Sequence, residues 1–243
     1  MVHIRKLSGN KKTDFGGVRS SRDFARRENT RAHKKRILIS CEGTKTEHLY
    51  FDALKDDKEF HNVILNLEPK GKPFSIKVFD SGSKADPVHV VEKAVKAQND
   101  ERKAGTWDSE TDEVWCVLDI EQKGEDAKRH LPEAIRMAKQ RGFKLAISNP
   151  CFEYWYLLHF ERTDGEFLNY DELEKVLKRK DGFSNYDKAI SVYHILKPRL
   201  KDVALKNSES LRKQNQNHWD AYRNPSTGVD ILVREIIGSV QEN

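Results

Sequence analysis

Between residues 36 and 150, short continuous apolar runs alternate with segments of helical spacing. Arg36–Cys41 (RILISC) is apolar without a 3.6-residue period and ends at Glu42-Gly43, which predicts a strand buried on both faces. Thr44 and Glu47 have the form of a capping box, and Leu49, Tyr50, Phe51 and Leu54 supply an apolar face, so a helix follows. Phe74–Phe79 (FSIKVF) alternates as a strand does. Asp86-Pro87 then reads as an N-cap with proline at the first helical position, opening a helix to about Lys103. Glu113–Leu118 (EVWCVL) is the third strand, Leu131–Arg141 a helix with Pro132 near its start and Gly142 as its stop, and Phe143–Ser148 (FKLAIS) a fourth strand ended by Asn149-Pro150. This order predicts an α/β fold, a parallel sheet of about four strands with helices on both faces.

Beyond residue 150 the spacing turns helical. Cys151–Phe160 (CFEYWYLLHF) is apolar nearly all round and predicts a buried helix. Asp171–Lys180, Tyr186–Leu200, Lys201–Tyr222 and Val229–Val240 read as further helices, separated by Asp181-Gly182 and by Asn224–Gly228. The expected organisation is a basic flexible arm over 1–35, an α/β core over 36–160 and a helical extension over 161–243 packed on that core.

Charge sharpens this picture. Residues 1–36 carry twelve Lys/Arg against three acids, so a +9 arm precedes 207 residues at −4 within a chain of net +5. A basic arm on a mildly acidic body suits a polyanionic partner, although a solvated leader has the same composition. No apolar run approaches the ~18 residues that span a bilayer, and no apolar core follows the basic start as in a secretory signal. The expectation is a cytoplasmic protein without a membrane partner. Cys41, Cys116 and Cys151 are too far apart for a disulfide framework or a zinc site and read as buried thiols.

Candidate chemistry lies at the strand ends. In a parallel sheet, ligands collect beyond the carboxyl ends of the strands. Glu42 ends the first strand, Asp119 and Glu121 follow the third, and Glu153 comes shortly after the fourth. Carboxylates converging there repel one another unless a cation intervenes, and hard oxygen donors suit Mg²⁺, with Mn²⁺ as its substitute. Polar loops and helix N-termini also favour acids for ordinary reasons.

These residues resemble a known family. Ile37–Glu47 (ILISCEGTKTE), Leu118-Asp119-x-Glu121, Ser148–Phe160 (SNPCFEYWYLLHF) and Asn224–Thr227 (NPST) look like the RloB (AbiLii-like) family over about residues 30–240. The resemblance implies a Toprim-like core and a role in phage defence by abortive infection. There an AAA-type ATPase partner sits beside a nuclease that acts on RNA, such as tRNA, ahead of DNA. Glu42 matches the Toprim glutamate, a general acid or base or a metal ligand. Asp119 matches the first aspartate of the D-x-D pair, Glu121 stands where the second aspartate is usual, and Glu153 would be a further acidic ligand.

The expected activity is therefore Mg²⁺-dependent phosphodiester hydrolysis, with Glu42, Asp119, Glu121 and Lys45 catalytic and Glu42, Asp119, Glu121 and Glu153 on the metal. Lys45, near the first helix N-terminus, either meets a phosphate or is a solvated helix lysine. Ser148 and Asn149 face the same crevice. Trp155, Tyr156 and His159 read as core residues, and Asn224–Thr227 as a cap for the last helix or a loop closing over the site. A non-catalytic subunit that binds nucleic acid or the ATPase is the alternative, and a homo-oligomer is compatible with either. A receiver-like phosphoacceptor fits poorly, since no fifth strand ending in lysine is evident.

Overall fold

The structure, a computed structural model, describes residues 35–59, 75–80, 86–120, 124–214 and 222–238. The basic arm, apart from Lys35, and Glu121 lie outside them. Four parallel strands, β1 (Arg36–Cys41), β2 (Ser75–Asp80), β3 (Glu113–Asp119) and β4 (Lys144–Asn149), form a sheet with a fifth, β5 (Ser226–Thr227), which runs antiparallel beside β4. The strand order is β2-β1-β3-β4-β5. The α/β class expected from the alternation is the class observed. The two-residue β5 has too little length to leave a periodic signal in sequence.

Side chains alternate across this sheet as a period of two requires. Ile37, Ile39, Cys41, Trp115, Val117 and Ala146 face one way, Leu38, Val114, Cys116, Leu118 and Ile147 the other. The second face is covered by α2 (Pro87–Lys103) and α3 (Gly124–Gln140), through Val90, Val91, Ala94, Leu131, Ala134 and Ala138. The first face is covered by α1 (Thr46–Lys55), α4 (Glu153–Leu157), α5 (Tyr170–Leu177) and the helices beyond. Because β1 and β3 are buried on both faces, their sequences are continuous apolar runs.

Local chemistry sets several boundaries. The Asp86 side chain accepts the Val88 N–H at 2.8 Å, and Pro87 sits where its missing N–H costs nothing, so α2 begins and ends where expected. Gly142, at φ +70°, stops the chain after α3 in a conformation disfavoured for other residues.

Other boundaries differ from expectation. Helix α3 starts at Gly124 rather than Leu131 and holds Pro132 inside it. The helix expected over 186–200 is confined to α6 (Tyr193–Leu196). Upstream of it Asp187 accepts the Ala189 N–H at 2.7 Å, a turn that competes with helix. Pro198 lacks a donor, and the chain continues as a 3₁₀ turn (Lys197–Arg199) and a π-turn (Leu200–Ala204) before α7 (Leu205–Gln214). The last helix, α8 (Val229–Ile237), is joined to α7 by Arg212, whose guanidinium lies 2.6 Å from the buried Asp230 carboxylate.

Candidate functional site at the carboxyl edge of the sheet

Strand register lines up polar groups along one edge. Asp80 pairs with Cys41, Asp119 with Ser148, and Ser148 with Thr227. Glu42, one residue beyond β1 and 7% exposed, turns toward β3, where its Oε2 accepts the Asp119 backbone N–H at 3.2 Å. Glu42 and Asp119, singled out from distant stretches of sequence, are thus brought together on adjacent strand ends. Ser148 and Thr227 share a hydroxyl hydrogen bond of 3.0 Å, and Asn149 donates its amide to the Tyr222 carbonyl at 2.9 Å.

The turn after Glu42 differs from a capping box. Lys45 occupies the N-cap position of α1 without a side-chain cap bond, and both Thr44 and Lys45 are exposed. Glu47 is instead buried and folds back over Gly43, where a Cβ would lie 2.6 Å from its Oε2. Gly43 therefore gives the Glu47 carboxylate room to approach and is not there for an unusual backbone angle. Burial, and then the charges of Glu153 and Glu42, raise the Glu47 carboxyl to about 7, against the opposing pull of its own backbone N–H and of Lys188.

Glu153, at the start of α4 and 1% exposed, is held by hydroxyls and an ammonium. Its Oε1 accepts from Thr46 Oγ1 at 3.3 Å and Tyr186 Oη at 3.1 Å, and Lys188 Nζ stands 3.6 Å away. Lys188 also lies 3.7 Å above the centroid of the Tyr170 ring. Tyr156, on the next turn of α4, donates its hydroxyl to the Thr46 carbonyl at 3.2 Å. Burial, with the nearby Glu153 charge, pushes the Tyr156 phenol well above its ordinary range, so it remains a donor.

The expected core residues sit in the core. Trp155 is fully buried, and His159 donates Nδ1–H to its carbonyl at 2.9 Å. Burial lowers His159 to about 3 and keeps it neutral, with no hydrogen-bond partner for Nε2 among the described residues. Cys41, Cys116 and Cys151 are buried free thiols. Asn224 makes a reciprocal amide pair with the Phe167 backbone, and Thr227 Oγ1 accepts the Val229 N–H at 3.2 Å, so this stretch ties α8 to the sheet.

Two carboxylates on neighbouring strand ends fit Mg²⁺, which keeps several waters and commonly takes one or two protein carboxylates. Among the described residues no group of three or more His, Cys, Asp or Glu is placed to hold a metal ion; Glu121, a member of the expected set, lies outside them, and Glu153 is engaged by other side chains. Its carboxylate faces Thr46, Tyr186 and Lys188. Sequence reasoning passed over Glu47, Thr46, Tyr186, Lys188 and Asp80. Only the glycine beside Glu42 and the second glutamate shortly after it offered a signal.

No helix of the described residues is long and apolar enough to cross a membrane. Comparison with curated proteins and with solved structures returned no match. A family model described as RloB-like protein matches residues 37–236, which takes in the sheet from the second residue of β1 onward and the carboxyl edge just described. The chain belongs to the RloB-like family.

Proposed function

We propose that this chain is a divalent-metal-dependent phosphodiesterase of Toprim type that cleaves nucleic acid, RNA such as tRNA ahead of DNA. On this reading it is the effector of an abortive-infection system beside an AAA-type ATPase. The observation that carries the reading is the convergence of Glu42 and Asp119, with the Glu42 carboxylate fixed on the Asp119 N–H. Glu42 and Asp119 would hold Mg²⁺ or Mn²⁺, together with Glu121. Such a cation, when bound, neutralises non-bridging phosphate oxygens and lowers the pKa of water.

The chain's own groups supply the rest. Lys45, exposed at the N-cap of α1, would meet a substrate phosphate there. Glu47, raised to about 7, retains or releases a proton near neutral pH. Labelled tRNA and DNA incubated with the purified chain in Mg²⁺ or Mn²⁺, alone and with its ATPase, test the proposal. Wild type is expected to cut, and Glu42→Gln or Asp119→Asn to lose about 10³-fold or more of the rate. Failure of wild type to cut either substrate under any of these conditions refutes it.

A second reading is a subunit that binds nucleic acid or the ATPase without chemistry, and glutamate at position 121, where the Toprim pair carries aspartate, favours it. A Mg²⁺-linked rise in melting temperature that disappears in Glu42→Gln and Asp119→Asn argues for the enzyme; no such rise argues for the binding subunit.

A further inference from the structure

The surroundings of Glu153 assign it a role different from that of a ligand. Two segments distant in sequence, one with Thr46 and one with Tyr186 and Lys188, bring donors to one carboxylate oxygen, and the group is 1% exposed. A buried carboxylate with two hydroxyl donors and an ammonium on Oε1 is already compensated.

Thr46, the first residue of α1, is gripped twice from α4: its hydroxyl by Glu153 and its carbonyl by Tyr156. The turn between β1 and α1 is therefore pinned at both ends. At one end Glu42 accepts the Asp119 N–H; at the other Thr46 is clamped to α4. Glu47, on the same first turn of α1, lays its carboxylate over Gly43.

We propose that Glu153 is a positioning residue: through Thr46 it fixes the turn that aims Glu42 at the Asp119 strand end, while Lys188 offsets its charge. This rests on the reading of Glu42 and Asp119 as the reaction centre, and its test separates the two. Hydrogen exchange of the segment 42–50 in the full chain reports the clamp directly, without metal. Mn²⁺ titration by calorimetry reports the ligand set.

Glu153→Ala is expected to speed exchange in 42–50 by about tenfold, the size set by losing about one buried hydrogen bond. Glu153→Gln keeps an acceptor for Thr46 and Tyr186 and is expected to stay within about twofold of wild type. Thr46→Val removes only the hydroxyl and is expected to match Glu153→Ala, which covers the case in which the alanine variant does not fold. In the titration, Glu153→Gln is expected to bind Mn²⁺ within about threefold of wild type while Glu42→Gln loses at least about tenfold.

Unchanged exchange at 42–50 in both Glu153→Ala and Thr46→Val overturns the proposal. So does a loss of Mn²⁺ affinity in Glu153→Gln as large as that in Glu42→Gln, which would make Glu153 a ligand. If wild type takes up no Mn²⁺, the reaction-centre reading fails, and the exchange experiment alone then decides whether the clamp exists.

Discussion

The two faces of the sheet are packed with different kinds of side chain. Against α2 and α3 the filling is mostly small and aliphatic, with Val90, Val91, Ala94, Ala134 and Ala138 meeting Leu38, Leu118 and Ile147 and aromatic rings, Phe143, Phe79 and Trp107, in the minority. A polar inclusion there, Ser40, is satisfied at once by the Val90 carbonyl at 2.9 Å. Against α1 and α4 the filling is aromatic. Tyr50 has Phe51, Phe152, Tyr156 and Tyr193 around it, at centroid separations of 5.3 to 5.8 Å. That face also holds Glu47, Glu153 and His159, all buried.

The difference follows from chemistry. Aliphatic packing has nothing to offer a buried carboxylate, whereas tyrosine combines a large apolar body with a hydroxyl that can reach one. Tyr156 and Tyr186 do this for Thr46 and Glu153. The candidate site is thus supported from the face whose rings carry donors, and the aliphatic face serves as its rigid backing.

This contrast is open to measurement. Phe152→Ala, in the aromatic cluster, is expected to cost about 3–5 kcal/mol, whereas Leu118→Val on the opposite face should cost about 1 kcal/mol. Urea denaturation checks both, and a loss of about 1 kcal/mol or less in Phe152→Ala would show that the aromatic cluster is not a packed core.

The next effect is in pH. Glu47 is raised to about 7, so its stabilising contribution is full below its unfolded pKa of about 4.5 and is lost as pH climbs through 7. His159 is lowered to about 3, so its contribution is full above about 6.5 and is lost as pH falls toward 3. Between about 4.5 and 6.5 the two slopes oppose each other and flatten the stability profile.

With divalent ions chelated, Glu47→Gln is expected to gain on the order of 2–3 kcal/mol over wild type at pH 8 and nothing at pH 4.5. His159→Gln should remove part of the acid-side loss. Melting temperatures across pH 4–8 show whether the slopes separate; parallel curves for wild type and Glu47→Gln would mean that Glu47 is not a buried, proton-holding acid. The smallest change is at Gly43. Gly43→Ala forces the Glu47 carboxylate aside at about 1 kcal/mol, read as a modest fall in melting temperature together with a shifted Glu47 titration.

What the sequence made legible was local. The Asp86-Pro87 start of α2, the Gly142 stop and the apolar runs of β1 and β3 are each decided by neighbours in the chain, and each was read within a residue or two. Glu42 and Asp119 were legible because a parallel sheet sends every strand end to one edge. Glu47 was read as a helix cap because, locally, it has that form. The Glu153 and Lys188 charges that act on it stand more than a hundred residues away, and no window along the chain carries that information. Tyr186 and Lys188 were read as helical for the same reason, since their partner Glu153 is held in an earlier element.

The short strand β5 bears on how the protein is made. Ser148 and Thr227 are 79 positions apart, and the Gly228 N–H reaches the Ile147 carbonyl at 2.9 Å. While a ribosome is still producing the intervening helices, the outer backbone groups of β4 have no partner from β5, and a nascent or truncated chain exposes them as a template for other strands. Arrival of residues 226–228 closes that edge, so a product terminated before them is prone to aggregate.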